Sequence, residues 1–257
     1  MTPIQQLMLG VGASKKTYVD DVFSTYVYKG PMTNNKVTNN INLSGEGGLV
    51  WIKHRDTINN ISEGHHLYDT VRGATKDIST DDSDAEETVG SDVFGGFNSD
   101  GFTVGGHSRT GGSGQKFSSW TFRKAPGFFD IVTWTGNGVD GRNISHSLGS
   151  VPGCIMIKRL SASEDWAVYH KSNGNTEGLT LNSNAYNSYS KTWWDETTPT
   201  ATTFRIDNAA RVNSNGQTYV AYVFAGGDST AATARSLNFT PNAHLSIGDH
   251  SDIKPGT

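Results

Sequence analysis

Four blocks of this sequence occur twice, in the same order. Phe23-Ser-Thr-Tyr-Val-Tyr-Lys-Gly30 returns as Phe129-Asp-Ile-Val-Thr-Trp-Thr-Gly136, and Ile41-Asn-Leu43 finds a partner between Ile144 and Leu148. Gly48-Leu-Val-Trp-Ile-Lys53 returns as Gly153-Cys-Ile-Met-Ile-Lys158. Ser113-Gly-Gln-Lys-Phe-Ser-Ser-Trp-Thr-Phe122 returns as Asn215-Gly-Gln-Thr-Tyr-Val-Ala-Tyr-Val-Phe224. The offset drifts in one direction, from 106 to 105 to 102 residues, as short loop deletions would produce. Self-similarity of this kind means one structural unit used twice. It divides the chain into an arm over 1–21, a first module over 22–127, a second over 128–226 and a remainder over 227–257.

Each module reads as β. The chain carries 30 Gly, 28 Thr, 26 Ser and 20 Asn. Ser, Thr and Asn compete locally with the helical backbone and Gly costs entropy in a helix, so long helices are disfavoured. Alternation over the last repeated block sends Lys116, Ser118, Trp120 and Phe122 to one face and Gln115, Phe117, Ser119 and Thr121 to the other. Its second copy is apolar on both faces, with Tyr219, Ala221 and Val223 against Val220, Tyr222 and Phe224, which predicts a strand lying between two layers. Turn pairs Ser113-Gly114 and Asn215-Gly216 precede the two copies, and Asp100-Gly101 is a third. The expected fold class is all-β: two tandem homologous modules of β-sandwich or jelly-roll type after an N-terminal arm.

Several function classes find no support. No apolar run approaches the ~18 residues of a membrane span, and Met1 to Ser14 lacks the pattern of a signal peptide. The single Cys154 makes no intrachain disulfide and reads as a small core residue. With 21 Lys+Arg against 25 Asp+Glu and no basic block, a nucleic-acid partner is unsupported. No G-x-S-x-G occurs, and the glycine pairs do not stand between a strand and a helix, so no enzyme and no cofactor is expected. The acidic stretch Asp77, Asp81, Asp82, Asp84, Glu86 and Glu87 lacks calcium-loop spacing and reads as a solvated loop. His65 and His66 point to opposite faces of a strand, which argues against a shared metal.

Two groups of residues stand out. Ile4, Leu7, Met8 and Leu9 make the arm apolar, either as a frayed terminus or as a peg docking on a partner, with Tyr18, Val22 and Phe23 leading into the first sheet. Trp166, Trp193, Trp194 and Tyr189 form an aromatic group in polar surroundings. They serve as core and interface caps, as subunit contacts, or as exposed rings that stack on glycans.

Gly47-Gly-Leu-Val-Trp-Ile-Lys53, Leu67-Tyr-Asp-Thr-Val-Arg-Gly73, Phe97-Asn-Ser-Asp-Gly-Phe102, Ser119-Trp-Thr-Phe-Arg-Lys-Ala125, Phe129 to Gly138, His146 to Cys154 and Tyr219 to Ala225 resemble tandem modules of tail-fibre and related structural proteins of marine phages, notably those of cyanobacteria. Lys16 to Thr25 looks like the start of such fibres. Ala234 to Thr240 and His244 to Thr257 resemble the first strand pair of a concanavalin A-like, laminin-G-like domain that stops short. The resemblance implies a non-enzymatic virion protein, the N-terminal part of a homotrimeric tail fibre, assembled in the bacterial cytoplasm. Its arm would fasten to the tail or to adaptor or nozzle proteins, and it would support host-surface recognition, with host glycans as possible contacts. Two other readings stay open: a carbohydrate-binding module using the exposed aromatics, and a β-sandwich enzyme degrading polysaccharide.

Overall fold

The structure is a computed structural model, and it describes residues 17–30, 35–56, 63–183, 186–187, 191–226 and 232–233. It is nearly all β, with 45% strand and 3% helix. The first half contains β1 (Thr17–Tyr18), the short α1 (Val19–Val22), β2 (Phe23–Lys29), β3 (Asn35–Thr38), β4 (Gly48–His54), β5 (His65–Asp69), β6 (Lys76–Ser79), β7 (Glu87–Thr88), β8 (Phe94–Asn98), β9 (Gly101–Val104) and β10 (Lys116–Arg123). The second contains β11 (Phe129–Thr135), β12 (Arg142–Ser145), β13 (Pro152–Arg159), β14 (Ala167–His170), β15 (Gly178–Leu179), β16 (Tyr186–Asn187), α2 (Lys191–Trp194), β17 (Thr203–Ile206) and β18 (Thr218–Ala225), followed by β19 (Ala232–Thr233).

Both halves have the same topology. A six-stranded sheet runs β2-β10-β4-β5-β6-β7 in the first and β11-β18-β13-β14-β15-β16 in the second. A smaller sheet covers one face of each, β3-β9-β8 and β12-β17. All these pairings are antiparallel. The duplication extends to single hydrogen bonds. Tyr28 donates its hydroxyl to the Thr110 carbonyl at 2.6 Å, and its counterpart Trp134 donates its indole N–H to the Val212 carbonyl at 3.0 Å. Lys53 reaches the Glu63 carbonyl at 2.6 Å, and Lys158 the Glu164 carbonyl at 2.8 Å. Gly30 and Gly136 each lie so close to the loop before the last strand that a Cβ would meet the carbonyl oxygen of Gly112 at 2.2 Å or of Ser214 at 2.1 Å.

One repeat block is displaced from the sequence alignment. Val37 faces Phe102 as Ile144 faces Phe204, so Val37, not Ile41, is the counterpart of Ile144. Ile41 matches Leu148: each donates its N–H back to a polar side chain two residues earlier, Asn39 at 3.2 Å and His146 at 3.2 Å.

Each half buries its own core between its two sheets. Val37, Ile41, Ile52, Tyr68, Phe94, Phe102 and Phe117 belong to the first, and Ile144, Ile155, Tyr169, Trp194, Phe204 and Tyr219 to the second. A third core joins them. The outer faces of the two large sheets bring Leu49, Leu67 and Ile78 against Phe129, Met156, Trp166, Val220 and Tyr222. The strand apolar on both faces, β18, therefore lies between two layers, with Tyr219 and Ala221 in one core and Val220 and Tyr222 in the other. The result is four stacked layers rather than two separate beads.

Candidate functional site

The seam between the halves holds a group of buried charges. Asp69 ends β5, and its carboxylate accepts the backbone N–H of Val71 and Arg72 at 2.9 and 2.8 Å, which turns the chain so that Arg72 folds back. The Arg72 guanidinium bonds Asp69 at 2.5 Å, Glu86 at 3.1 Å and the Leu67 carbonyl at 3.0 Å. Burial opposes its charge, but Tyr222, Asp69 and Glu86 outweigh that and raise its pKa. Burial likewise drives the Tyr222 hydroxyl well above its ordinary value.

The acidic stretch is correspondingly not a solvated loop throughout. Asp77 is buried and accepts from Tyr68 at 2.9 Å and from Arg109 at 3.3 Å, with the His66 imidazole at 3.0 Å. Glu86 donates its N–H to the Leu160 carbonyl at 2.9 Å, and Ser83 accepts the Glu164 N–H at 2.8 Å and the Lys158 ammonium at 3.0 Å. Charge spacing alone does not reveal these backbone ties, which fasten the loop to the second half. Lys158 is fully buried, and desolvation lowers its pKa to about 8.

The three tryptophans, for which core, interface and glycan-contact roles stayed open, lie inside. Trp166 has no exposed area, and its indole N–H donates to the Ser79 carbonyl at 2.8 Å across the seam. Trp194 packs on Tyr169 with ring centroids 5.6 Å apart, and Trp193 is buried beneath the Arg211 guanidinium at 4.7 Å. The reason is the repeat: Phe94 packs on Tyr68 at 4.3 Å in the first half, and Trp194 on Tyr169 takes that place in the second. Extending the alignment through Tyr68 and Tyr169 is the signal that would have found this. Burial of a large indole outweighs the polarity of its neighbours. Glycan stacking through these three rings is therefore corrected. Tyr189 lies outside the described residues, as do Ile4, Leu7, Met8 and Leu9. Tyr18 opens α1 and donates its backbone N–H to the Asp21 carboxylate at 3.0 Å, Val22 is buried, and Phe23 packs on Phe122 at 4.9 Å.

A different aromatic group borders solvent. A cleft of about 420 Å³ at the rim of the third core is lined by Trp51, His65, Thr80 and Asp81 from the first half and Leu181, Asn182 and Ser183 from the second. Trp51 donates its indole N–H to His65 Nδ1 at 2.8 Å. Accepting there leaves the proton of the neutral imidazole on Nε2. Burial lowers the His65 pKa, against the opposing pull of Asp81. Trp120 meets Trp51 edge-on at 6.0 Å and stacks on His65 at 6.5 Å. The β5 alternation that separates the two imidazoles thus sends His65 to the cleft and His66 to Asp77. Sequence reasoning missed this cleft, because Trp51 and His65 meet only through strand pairing and the second half supplies the opposite wall.

Cys154 packs against the third core, and burial pushes its thiol to about 11. Among the described residues, no group of three or more His, Cys, Asp or Glu is placed to hold a metal ion, and no helix is long and apolar enough to cross a membrane.

A family model described as a domain of unknown function, DUF7483, matches residues 19–233, from α1 through β19. The chain belongs to the DUF7483 family. The matched span takes in both halves together with their seam, so the family unit is the doubled, four-layer body and not a single repeat. No curated protein and no solved structure matches the chain.

Proposed function

We propose that this DUF7483 protein is a non-enzymatic structural component of a phage virion, the N-terminal part of a homotrimeric tail fibre that attaches to the tail and supports host-surface recognition. The observation that carries the reading is the way the chain passes through the body. β1 and β19 pair in parallel, Thr17 beside Ala232 and Tyr18 beside Thr233. Each of these strands is two residues long and paired strands lie about 4.8 Å apart, so the chain enters and leaves the body at one place. The segments before and after the body therefore leave it side by side, one free to anchor and the other to reach outward. The third core supports the same role, because it makes the two halves one spacer that transmits load without a hinge. The edge strand β2 exposes Tyr26 and Val27, a surface on which copies of the chain can meet.

The test removes residues 1–21 in the encoding phage. The truncated protein is expected to fold and accumulate in infected cells but to be missing from purified particles. Normal incorporation would overturn the anchoring role.

A further inference from the structure

We infer that the cleft formed by Trp51, His65, Asp81 and Asn182 is a saccharide-binding site. Its size, about 420 Å³, falls in the ~300–1,000 Å³ range of small-ligand sites, which combine apolar walls with a few placed polar groups. Trp51 is half-buried and supplies the apolar wall. Its indole is held by the hydrogen bond to His65 and the edge contact with Trp120, so the platform is set before a ligand arrives. The polar groups around it both donate and accept. Asp81 is exposed and spends Oδ1 on the His65 N–H at 2.9 Å and on the Ser79 hydroxyl, while its Oδ2 makes no hydrogen bond among the described residues. Thr80 adds a hydroxyl to the lining, and the Asn182 amide is fixed in the wall by accepting from the Trp166 backbone N–H at 3.1 Å and donating to Asp165 at 2.8 Å.

A ligand suited to these walls has an apolar ring face and hydroxyls around its edge. A pyranose has both. A phosphate or carboxylate ligand meets the Asp81 carboxylate and no lysine or arginine in the lining, and a purely hydrocarbon ligand leaves that carboxylate desolvated.

The repeat supplies an independent argument. The counterparts of Trp51 and His65 in the second half are Met156 and Trp166, both buried in the third core. The duplicated fold therefore does not require these positions to border solvent. Only the first half opens them, and the second closes the cleft with Leu181 and Asn182.

The inference rests on the attachment reading for its biological target, a host-surface glycan, but its binding test does not. Saturation-transfer NMR on the purified full chain would use maltotriose, chitotriose and sialyllactose as neutral, N-acetylated and acidic probes. Transfer to a neutral or N-acetylated probe is expected, weaker for the acidic one, and reduced at least tenfold by Trp51→Ala. Leu181→Arg, at an exposed rim position, is expected to reduce it equally without disturbing the interior. No transfer to any probe, or transfer unchanged in both variants, would overturn the site. A chain that binds sugar but is missing from virions would leave the site standing and remove the fibre reading.

Discussion

Tyr222 of the second half donates its hydroxyl to Asp69 of the first at 2.8 Å and accepts from Arg72 at 3.1 Å. The three groups are buried between the large sheets, where neither charge has water to replace a lost partner. Tyr222→Phe keeps the ring in the third core and removes only the hydroxyl. It should cost ~1–3 kcal/mol, the penalty for a buried polar group left short of a bond. Urea denaturation should show this as a lower midpoint with a single transition. Two separated transitions would mean that the halves are not one cooperative unit.

Stability should rise from pH 8, hold level between about 9 and 10, and fall above that. Lys158 has a folded pKa of about 8, below its ordinary 10.5. Between those values the unfolded chain holds the proton and the folded one does not, so stability rises with pH by at most ~1.4 kcal/mol per unit. Cys154 works the other way. Its thiol titrates at about 11 when folded and at 9.0 otherwise, so its contribution falls as pH climbs from 9 to 11 and offsets the Lys158 rise up to 10.5. The raised hydroxyls of Tyr28, Tyr68 and Tyr222 steepen that fall. Melting temperatures across pH 7 to 11 check the shape, and Lys158→Met should abolish the rise between 8 and 9.

The duplicated glycines should respond alike. Gly30→Ala and Gly136→Ala each drive a methyl into a backbone carbonyl, so each should cost at least the ~1–3 kcal/mol of an overpacked interior. Gly114→Ala and Gly216→Ala have open space but φ of +76° and +74°, and should cost ~1–2 kcal/mol for the left-handed backbone. A large loss at only one member of either pair, measured by chemical denaturation, would argue against equivalent halves.

Trp194→Ala should destabilise by ~3–5 kcal/mol, as for a large ring removed from a core. Trp194→Phe should recover most of this, because Phe94 already fills that place in the first half. A neutral Trp194→Ala would place that indole at a surface after all.

Much of the fold was legible because the repeat and the strand period are local patterns. The blocks around Gly30 and Gly136, and the two-faced strand Thr218–Ala225, predicted the sheets and even a layer on each side of that strand. The identity of that second layer was not legible. Leu49 and Leu67 carry no mark saying that they pack on Met156 and Tyr222 rather than on their own small sheet. For Trp193 and Trp194 core, interface and glycan-contact roles stayed open in the sequence, because polar neighbours suggest exposure whereas the size of the rings favours the core. The cleft at Trp51 and His65 escaped for a related reason. Its walls come from positions a hundred or more residues apart, brought together only when the two halves close on each other.

The most direct test of the proposed fibre role is cryo-electron microscopy of virus particles purified from cells that produce this chain. The account predicts density for the four-layer body in a tail appendage, in three copies per fibre, with residues 1–21 directed toward the tail. Absence of the chain from the particles, or its presence only on the capsid shell, would contradict it.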